Sequence, residues 1–416
     1  SDYKHINTPL WDIVLIILQG IVMDNMQFIF ALLFFAALAL FLFWKRKQVA
    51  LEWMIFPVVY MAMYRASWGI KAMDSLGKKL RPVLKVVGFL AVIVGFLGMG
   101  LISFQLVKNL FDILTHKVSA SSVGIIQPFA QNVPGTIFVP FIYFILSIFI
   151  IAVLHEFSHG VMARAHKCKV NSSGFAFLGF LLPIIPAAFV EPCEKEMSRK
   201  PKMAQLSILA AGAVSNILCA FFVLLLIVYA VDPIVSHLIT PLGVEVVKVE
   251  KDSPAELAGL KLGELITSIN SVPVNDSKGM VEYLSARSPG DALKIVTNVS
   301  THAAVLSANP ADSKKPYLGF QVTNRFVISE AAKAAYSLPV SEFILWLGGL
   351  LFWLFNLSLG IGLFNLVPLG PIDGGKMLMI GLSSWFEEPM AHKIWLVVSI
   401  AFFSAILLNV GVAFFI

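Results

Sequence analysis

Six long apolar segments dominate the pattern of hydrophobic and polar positions along the chain. Each is close to the ~20 residues that a helix needs to cross the hydrocarbon core of a bilayer. The segments are 27–44, 86–107, 137–163, 203–231, 342–367 and 393–416. The pattern predicts a polytopic α-helical membrane protein with about six transmembrane helices.

Two shorter apolar stretches in the N-terminal region do not fit a simple crossing. Segment 10–23 is short and ends before Asp24, so we expect it at the membrane interface. Segment 49–64 contains Glu52 and Pro57, and basic residues flank it on both sides. If it crossed, one basic cluster would lie outside, so the positive-inside rule predicts a re-entrant or surface element.

A third apolar stretch lies between the third and fourth spans. Segment 174–190 reads GFAFLGFLLPIIPAAFV, and its glycines together with Pro183 and Pro186 argue against a continuous helix. Irregular backbone at membrane depth is tolerated only against protein or a water-filled cavity. We predict a re-entrant hairpin packed beside the functional site, with an interfacial loop as the alternative.

A polar insert interrupts the hydrophobic pattern from residue 242 to about residue 323. Strand-like alternation at 244–249 and 265–270 surrounds a short helix that begins after Ser253. The strings SPAELAGLKLGELITSIN and SPGDALKIV resemble a PDZ domain, so we expect an inserted α+β PDZ-like domain. The segment departs from that pattern at Asn270-Ser271, where Asn-Gly is usual, and in the stretch 300–316. PDZ domains bind peptides by strand addition, and the sequence leaves a peptide ligand of this groove open.

Composition agrees with a membrane protein and excludes a soluble globular one. The 416 residues are 58% hydrophobic and 13% charged, with a mean hydropathy of +0.83. The net charge of +6 comes from basic residues just beyond the apolar segments, which favours membrane orientation over nucleic-acid binding. We therefore expect the lipid bilayer, and no nucleic acid, as a partner. The three cysteines, Cys168, Cys193 and Cys219, lack the spacing of a zinc knuckle or a disulfide framework.

The distribution of Lys and Arg also predicts the orientation. With six spans, the basic connections fall in the cytoplasm, while connection 108–136 and both termini fall outside. The cytoplasmic end of the third span then carries the motif described next, and the polar insert lies outside the cytoplasm. We divide the chain into an N-terminal membrane region (1–136), a first part of a catalytic core (137–240), the PDZ-like domain (241–335) and a second part of the core (336–416).

The third span ends in His155-Glu156-Phe157-Ser158-His159. A helix places residues i and i+4 on one face, so both imidazoles can bind one metal ion, and Glu156 lies where it can take a proton from an attacking water. Ionisable groups at membrane depth are costly, so three together indicate a functional site. A His pair on a helix can also be structural, and the motif alone is weak evidence.

A second motif strengthens the metal hypothesis. The segment NLVPLGPIDGG (365–375) closes the fifth span and supplies Asp373 at the same predicted depth. Two His and one Asp leave a fourth tetrahedral position open, which is the composition of a catalytic rather than a structural zinc site. An ordinary cytoplasmic turn is the alternative for this segment.

The fourth span carries AGAVSN at 211–216. Gly212 there is most simply explained by close helix packing. Asn216 needs hydrogen-bond partners if it is buried, so we expect it either to orient the substrate, as a substrate-binding residue, or to hold the metal-binding helix.

These motifs, in this order among membrane helices, resemble the site-2 protease family of intramembrane zinc metalloproteases, in its animal and archaeal-like branch. The resemblance covers about 137–379 and departs mildly at Ala213, where family members often have Pro. It implies one Zn²⁺ per chain, bound by the two histidines and the aspartate. It further implies Glu156 as general base and acid, Asn365 as a group that steadies the transition state, and Asn216 as the Asn of the middle motif.

The resemblance also implies a reaction and its substrates. The enzyme would hydrolyse peptide bonds within or near transmembrane segments of protein substrates that an earlier cut has shortened. Two other functions stay open from the residues: a non-proteolytic membrane scaffold or metal transporter that uses the same ligands, and an unrelated membrane zinc protease that cuts outside the bilayer.

Overall fold

The computed structural model describes residues 24–55, 59–115, 124–128, 133, 135–180, 182–309 and 312–412, so the interfacial segment predicted at 10–23 lies outside the described residues. The helices are α1 (Asp24–Trp44), α2 (Ile70–Lys79), α3 (Arg81–Leu114), α4 (Phe141–Ala165), α5 (Glu194–Met197), α6 (Lys202–Leu226), α7 (Asp232–Leu238), α8 (Pro254–Leu257), α9 (Ser277–Ser285), α10 (Glu330–Ala335), α11 (Leu338–Phe364), α12 (Asp373–Leu382) and α13 (Glu388–Val412). A π-helical turn, Ile227–Val231, joins α6 to α7.

The strands are β1 (Val49–Ile55), β2 (Val59–Ala66), β3 (Ile125–Gln127), β4 (Thr136–Phe138), β5 (Val170–Phe180), β6 (Leu182–Pro192), β7 (Ile239–Val249), β8 (Leu265–Ile269), β9 (Val272–Pro273), β10 (Ala292–Thr297), β11 (Thr301–Val305), β12 (Ser307–Asn309), β13 (Asp312–Tyr317) and β14 (Phe320–Ile328). The described residues form two compact units. The membrane unit consists of 24–224 and 353–412, and the insert unit consists of 225–352.

Six helices of the described chain are long and apolar enough to cross a membrane, as predicted. They are α1, α3, α4, α6 with its continuation to Leu238, α11 and α13. The third of them begins at Phe141, four residues later than predicted, because Thr136–Phe138 forms a strand and Pro140 stands at the helix N-cap. The polytopic helical architecture is confirmed.

Inside the membrane unit, α3 is held against its neighbours by small residues and one amide pair. The core there joins Ala91 of α3, Ala210 of α6 and Met377 of α12. Towards the other end of α3, the buried Asn109 Nδ2 donates a hydrogen bond of 2.6 Å to Oδ1 of the buried Asn409 on α13. Amide hydrogen bonds between membrane helices stabilise by ~0.6–2 kcal/mol, so this pair fixes α3 to α13.

The predicted hairpin at 174–190 is present as β5 and β6, which pair over slightly longer strands. Segment 49–64, expected as a re-entrant or surface element, is a second hairpin formed by β1 and β2. The sequence did not predict that β2 pairs with β5, which makes one antiparallel four-stranded sheet in the order β1-β2-β5-β6. Gly174 permits this pairing, because a Cβ there would lie 2.0 Å from the Tyr64 carbonyl oxygen. Strand β6 is left as an edge of the sheet.

The insert unit contains the expected α+β domain. Five strands form an antiparallel sheet in the order β11-β10-β8-β7-β14, and β9 pairs with β8. Its core includes Ile266, Ile269 and Ile295, each fully buried. The unusual pair Asn270-Ser271 forms the two-residue turn between β8 and β9 with φ of 47° and 66°, so Ser271 takes the left-handed conformation that favours glycine.

His302 and Glu264 form a buried hydrogen-bonded pair in the insert. Nε2 of His302 lies 2.7 Å from Oε2 of Glu264, and the hydroxyl of Thr297 donates to the same oxygen at 2.8 Å. Nδ1 of His302 lies 3.0 Å from the carbonyl of Ala258. Burial alone would raise the pKa of Glu264, but the hydrogen bonds from His302 and Thr297 and the His302 charge hold that pKa below its usual range.

Candidate functional site

Helix α4 places two imidazoles on one face. His155 and His159 stand one turn apart, and their Nε2 atoms lie 3.1 Å from each other. His159 is buried and His155 is nearly so, since the side chains are 11% and 12% exposed. Two ring nitrogens that face each other at this distance, away from water, need a shared cation or proton between them.

Asp373, the first residue of α12, reaches the same point after the loop that follows α11. Its Oδ2 lies 3.1 Å from His155 Nε2 and 3.3 Å from His159 Nε2. The loop closes because the Gly374 N–H donates to the Asn365 carbonyl at 2.7 Å. A Cβ on Gly374 would lie 2.4 Å from the backbone of Leu366, so glycine is required for this close return.

The three donor atoms form a triangle with sides of 3.1, 3.1 and 3.3 Å. Tetrahedral zinc with bonds of ~2.0–2.1 Å separates its ligand atoms by about 3.3 Å, so the triangle fits one such ion. Oδ2 of Asp373 is buried and, among the described residues, accepts no hydrogen bond. A carboxylate oxygen and two imidazole nitrogens in this arrangement are the donor set that zinc prefers.

Glu156 belongs to the same cluster, and two sets of three ligands can therefore be drawn. The ligand atoms of His155, Glu156 and His159 lie within 4.8 Å of one another. Asp373 lies closer to the histidine pair, because its Oδ2 is within 3.3 Å of Nε2 of both imidazoles. The Glu156 carboxylate is already engaged, since its Oε2 accepts a hydrogen bond of 2.9 Å from the Val190 N–H of β6.

The outer nitrogens of both imidazoles face helix α6. His159 Nδ1 lies 2.7 Å from the Ile208 carbonyl, an acceptor that leaves Nε2 free for a metal. His155 Nδ1 lies 3.2 Å from Nδ2 of Asn216, which is fully buried. A half-turn of the Asn216 amide would place Oδ1, a buried oxygen with no partner among the described residues, opposite the His155 Nδ1–H.

Gly212 on α6 lies against the two imidazoles. A Cβ built on it would be 2.3 Å from His159 Nε2 and 2.7 Å from His155 Nε2. Close packing was expected for this glycine, and the structure places that contact at the histidine pair.

Trp395 supports the Asp373 loop from α13. Its indole N–H donates to the Gly375 carbonyl at 2.9 Å, and its ring lies 3.2 Å from the position of a Cβ on Gly370. Sequence reasoning missed this residue, since a tryptophan near the end of a span reads as an interfacial anchor.

Asn365, which was predicted to steady the transition state, lies at the start of the loop that precedes Asp373. Asn365 contributes its backbone carbonyl to the loop, and its side chain is half-buried. The structure brings His155, Glu156, His159 and Asp373 together, and Asn216 contacts His155. The Ile208 carbonyl contacts His159, and the Val190 N–H contacts Glu156. These two contacts could not be predicted from residue type, because they are made by backbone atoms.

The chain is similar to a known protein family, to individual relatives and to a solved structure. Residues 143–408 match the family described as Peptidase family M50. An uncharacterized protein of Methanocaldococcus jannaschii is 25% identical over 313 residues, which are 74% of each chain. The zinc metalloprotease RasP of Shouchella clausii is 23% identical over 247 residues, 50% of this chain and 57% of that protein, so the chain spans about half the length of this relative. Among solved structures, the PDZ domain of the SdrC-like protein from Listeria monocytogenes aligns with 19% of this chain and 86% of that domain at 27% identity, with a TM-score of 0.17.

Proposed function

This chain belongs to peptidase family M50, and on that premise we propose that it is a zinc-dependent endopeptidase that hydrolyses peptide bonds within or near the transmembrane segments of other membrane proteins. The observation that carries the proposal is the triangle of His155, His159 and Asp373 donor atoms with Glu156 beside it. The site abuts membrane-spanning helices α4, α6 and α11, and a protease working on an exposed domain would not require that placement.

The proposed ligands of one Zn²⁺ per chain are His155, His159 and Asp373. When bound by these residues, the ion would polarise the scissile carbonyl as a Lewis acid, lower the pKa of a water at the site and favour the developing oxyanion.

Glu156 acts as general base and then as general acid. Its carboxylate lies within 4.8 Å of both imidazole ligand atoms, so it can take a proton from the attacking water and return it to the leaving amide nitrogen. Transport of a metal would not need such a group, which favours hydrolysis over the scaffold or transporter alternative. Asn365 is proposed to donate its side-chain amide to the developing oxyanion, and its place at the start of the Asp373 loop supports that role.

A substrate helix must unwind before its carbonyls can be attacked, because its backbone hydrogen bonds hide them. Strand β6 is the edge of the four-stranded sheet, and its Val190 N–H already faces Glu156. An extended substrate segment could add to this edge and be held beside the catalytic carboxylate.

The partners and orientation follow from the same proposal. From the distribution of Lys and Arg over six spans, we infer that the metal site lies near the cytoplasmic side of the membrane and that the insert lies outside the cytoplasm. The proposed substrates are membrane proteins that an earlier cut has shortened. A peptide ligand of the PDZ-like groove and a substrate-binding role for Asn216 belong to the proposal as well.

The decisive experiment uses the purified full chain in detergent with a labelled transmembrane peptide. Wild type should cleave and carry about one zinc per chain, and chelation should abolish cleavage. Glu156→Gln should keep its zinc and lose cleavage by at least ~100-fold. Glu194→Gln, at an exposed position on α5, is the matched control and should cleave normally. Cleavage that persists in Glu156→Gln would remove the proposed base.

A further inference from the structure

We propose that helix α6 forms one side of the metal centre. On this helix, Gly212 leaves the space that the cation would occupy, and Asn216 orients the ring of His155. This inference rests on the proposed zinc-dependent function and adds two positioning residues that contribute no ligand atom. It reinterprets Gly212, which sequence alone assigned to helix packing, and gives Asn216 a role on the metal-binding helix.

The space between Gly212 and the two imidazoles is too small for a side chain. A Cβ there would stand 2.3 Å from His159 Nε2 and 2.7 Å from His155 Nε2, distances comparable to a zinc–nitrogen bond of ~2.0–2.1 Å. Any side chain would therefore compete with the cation for the same two nitrogens or push the imidazoles apart. Packing against a flexible neighbour could relax, but both rings are held from behind at Nδ1.

The residues of α6 that face the two imidazoles are evenly spaced along the helix. Ile208, Gly212 and Asn216 are four residues apart and lie on one helical face. The face meets α4 in antiparallel register, with Ile208 opposite His159 and Asn216 opposite His155. Gly212 comes at the midpoint, where the two Nε2 atoms converge. One face of one helix thus orients both imidazoles and leaves room between them.

Asn216 is itself held in place by helix α11. It is fully buried, and its backbone carbonyl accepts a hydrogen bond of 2.8 Å from the Ser358 hydroxyl of α11. Gly362, one turn further on α11, allows close contact, since a Cβ there would lie 3.2 Å from Asn216 Cβ. A fixed amide can select the His155 tautomer with its proton on Nδ1, which directs Nε2 to the cation.

The test measures metal binding, with no substrate present. Full-length variants in detergent are checked for folding by gel filtration and circular dichroism. Zinc affinity is then measured by chelator competition, and Co²⁺ absorption reports the coordination geometry. Gly212→Ala should lower zinc affinity at least ~10-fold, in the range seen when groups around a metal site are changed.

Two glycine controls separate this effect from general helix packing. Gly360→Ala on α11 adds a Cβ that meets no atom within 4 Å and should bind zinc like wild type. Gly95→Ala on α3 adds a Cβ 2.8 Å from the end of the flexible Met377 side chain, so it tests tight packing away from the imidazoles. It should keep its zinc.

A pair of Asn216 variants keeps the proposal testable if Gly212→Ala does not fold. Asn216→Asp retains an acceptor for His155 Nδ1–H and should keep zinc affinity, whereas Asn216→Leu should lose ~10–100-fold. A folded Gly212→Ala with wild-type affinity, or equal losses in Asn216→Asp and Asn216→Leu, would overturn the inference. Wild type that binds no zinc would instead refute the proposed function itself.

Discussion

The backbone N–H of Val190 on β6 donates a hydrogen bond of 2.9 Å to Oε2 of Glu156 on α4. The bond joins the edge strand of the four-stranded sheet to the carboxylate proposed as general base. One oxygen of Glu156 is thereby fixed, and the other is left for the attacking water. The strand that we propose to receive the substrate therefore also orients the catalytic group.

Replacing Val190 with Pro should slow cleavage at least ~10-fold, because a hydrogen bond to a charged group is worth about 1.5–3 kcal/mol. Proline is tolerated at a sheet edge, and the lost N–H is the one that faces Glu156. The measurement is kcat for a transmembrane peptide, with zinc content alongside. Val190→Ala, which loses similar packing but keeps the N–H, should stay near wild type; equal rates in the two variants would show that the bond is not needed.

Trp395→Phe should weaken zinc binding about 10-fold, in the range expected when a partner outside the ligand shell is removed. The phenyl ring keeps contact near Gly370 but lacks the N–H that holds the Gly375 carbonyl, so Asp373 becomes less well placed. Chelator competition gives the affinity. Trp385→Phe, at a side chain that is 88% exposed, should have no effect. If both variants bind zinc equally, the loop does not depend on Trp395.

The insert domain should lose stability in acid through Glu264. Its pKa is lower in the folded chain than in the unfolded one, so the stabilisation is complete above the unfolded value of ~4.3 and is lost as pH falls through the lower folded value. Hydrogen exchange of the insert within the full chain, measured from pH 6 downward, follows this loss. Glu264→Gln should exchange faster at pH 6 and show a weaker pH dependence, while Glu282→Gln, at an exposed site on α9, should match wild type. A Glu264→Gln insert with wild-type protection at pH 6 would contradict the role of the hydrogen bonds that Glu264 accepts.

The proposed orientation can be tested by labelling single cysteines in intact cells. Cysteine introduced at Lys278 in the insert should react with a membrane-impermeant maleimide from outside, in a background where the native cysteines are replaced by Ser. Cysteine introduced at Lys195, before α6, should react only after permeabilisation. The opposite pattern would invert the topology and place the metal site near the outer surface.

Which residues approach one another in the site could be predicted in part, because these residues occur at fixed spacings in short segments of the sequence. His155 and His159 share a face in any helix, and the glycines after Asp373 indicate a close backbone return. The six membrane helices likewise follow from apolar length alone. Each of these features depends on a short segment and on one physical rule.

The features that could not be predicted all depend on long-range contacts. Strand β2 pairs with β5 across more than a hundred residues, and Ile208 and Val190 act through backbone atoms that any residue would supply. Trp395 acts through one indole N–H on a helix that provides no ligand. Periodicity and residue type do not record which helix faces meet, so the sequence predicted the candidate ligands and left the groups that hold them in place unassigned.

The hydrogen bond between Asn109 and Asn409 has a consequence for how the protein is made. Its two partners are 300 positions apart, and both lie outside the family match at 143–408. Helix α3 is synthesised well before α13, so this hydrogen bond cannot form until α13 has emerged from the ribosome. A nascent chain that ends just before α13 already contains His155, His159 and Asp373, the proposed metal ligands, and still lacks the hydrogen bond that connects α3 to α13.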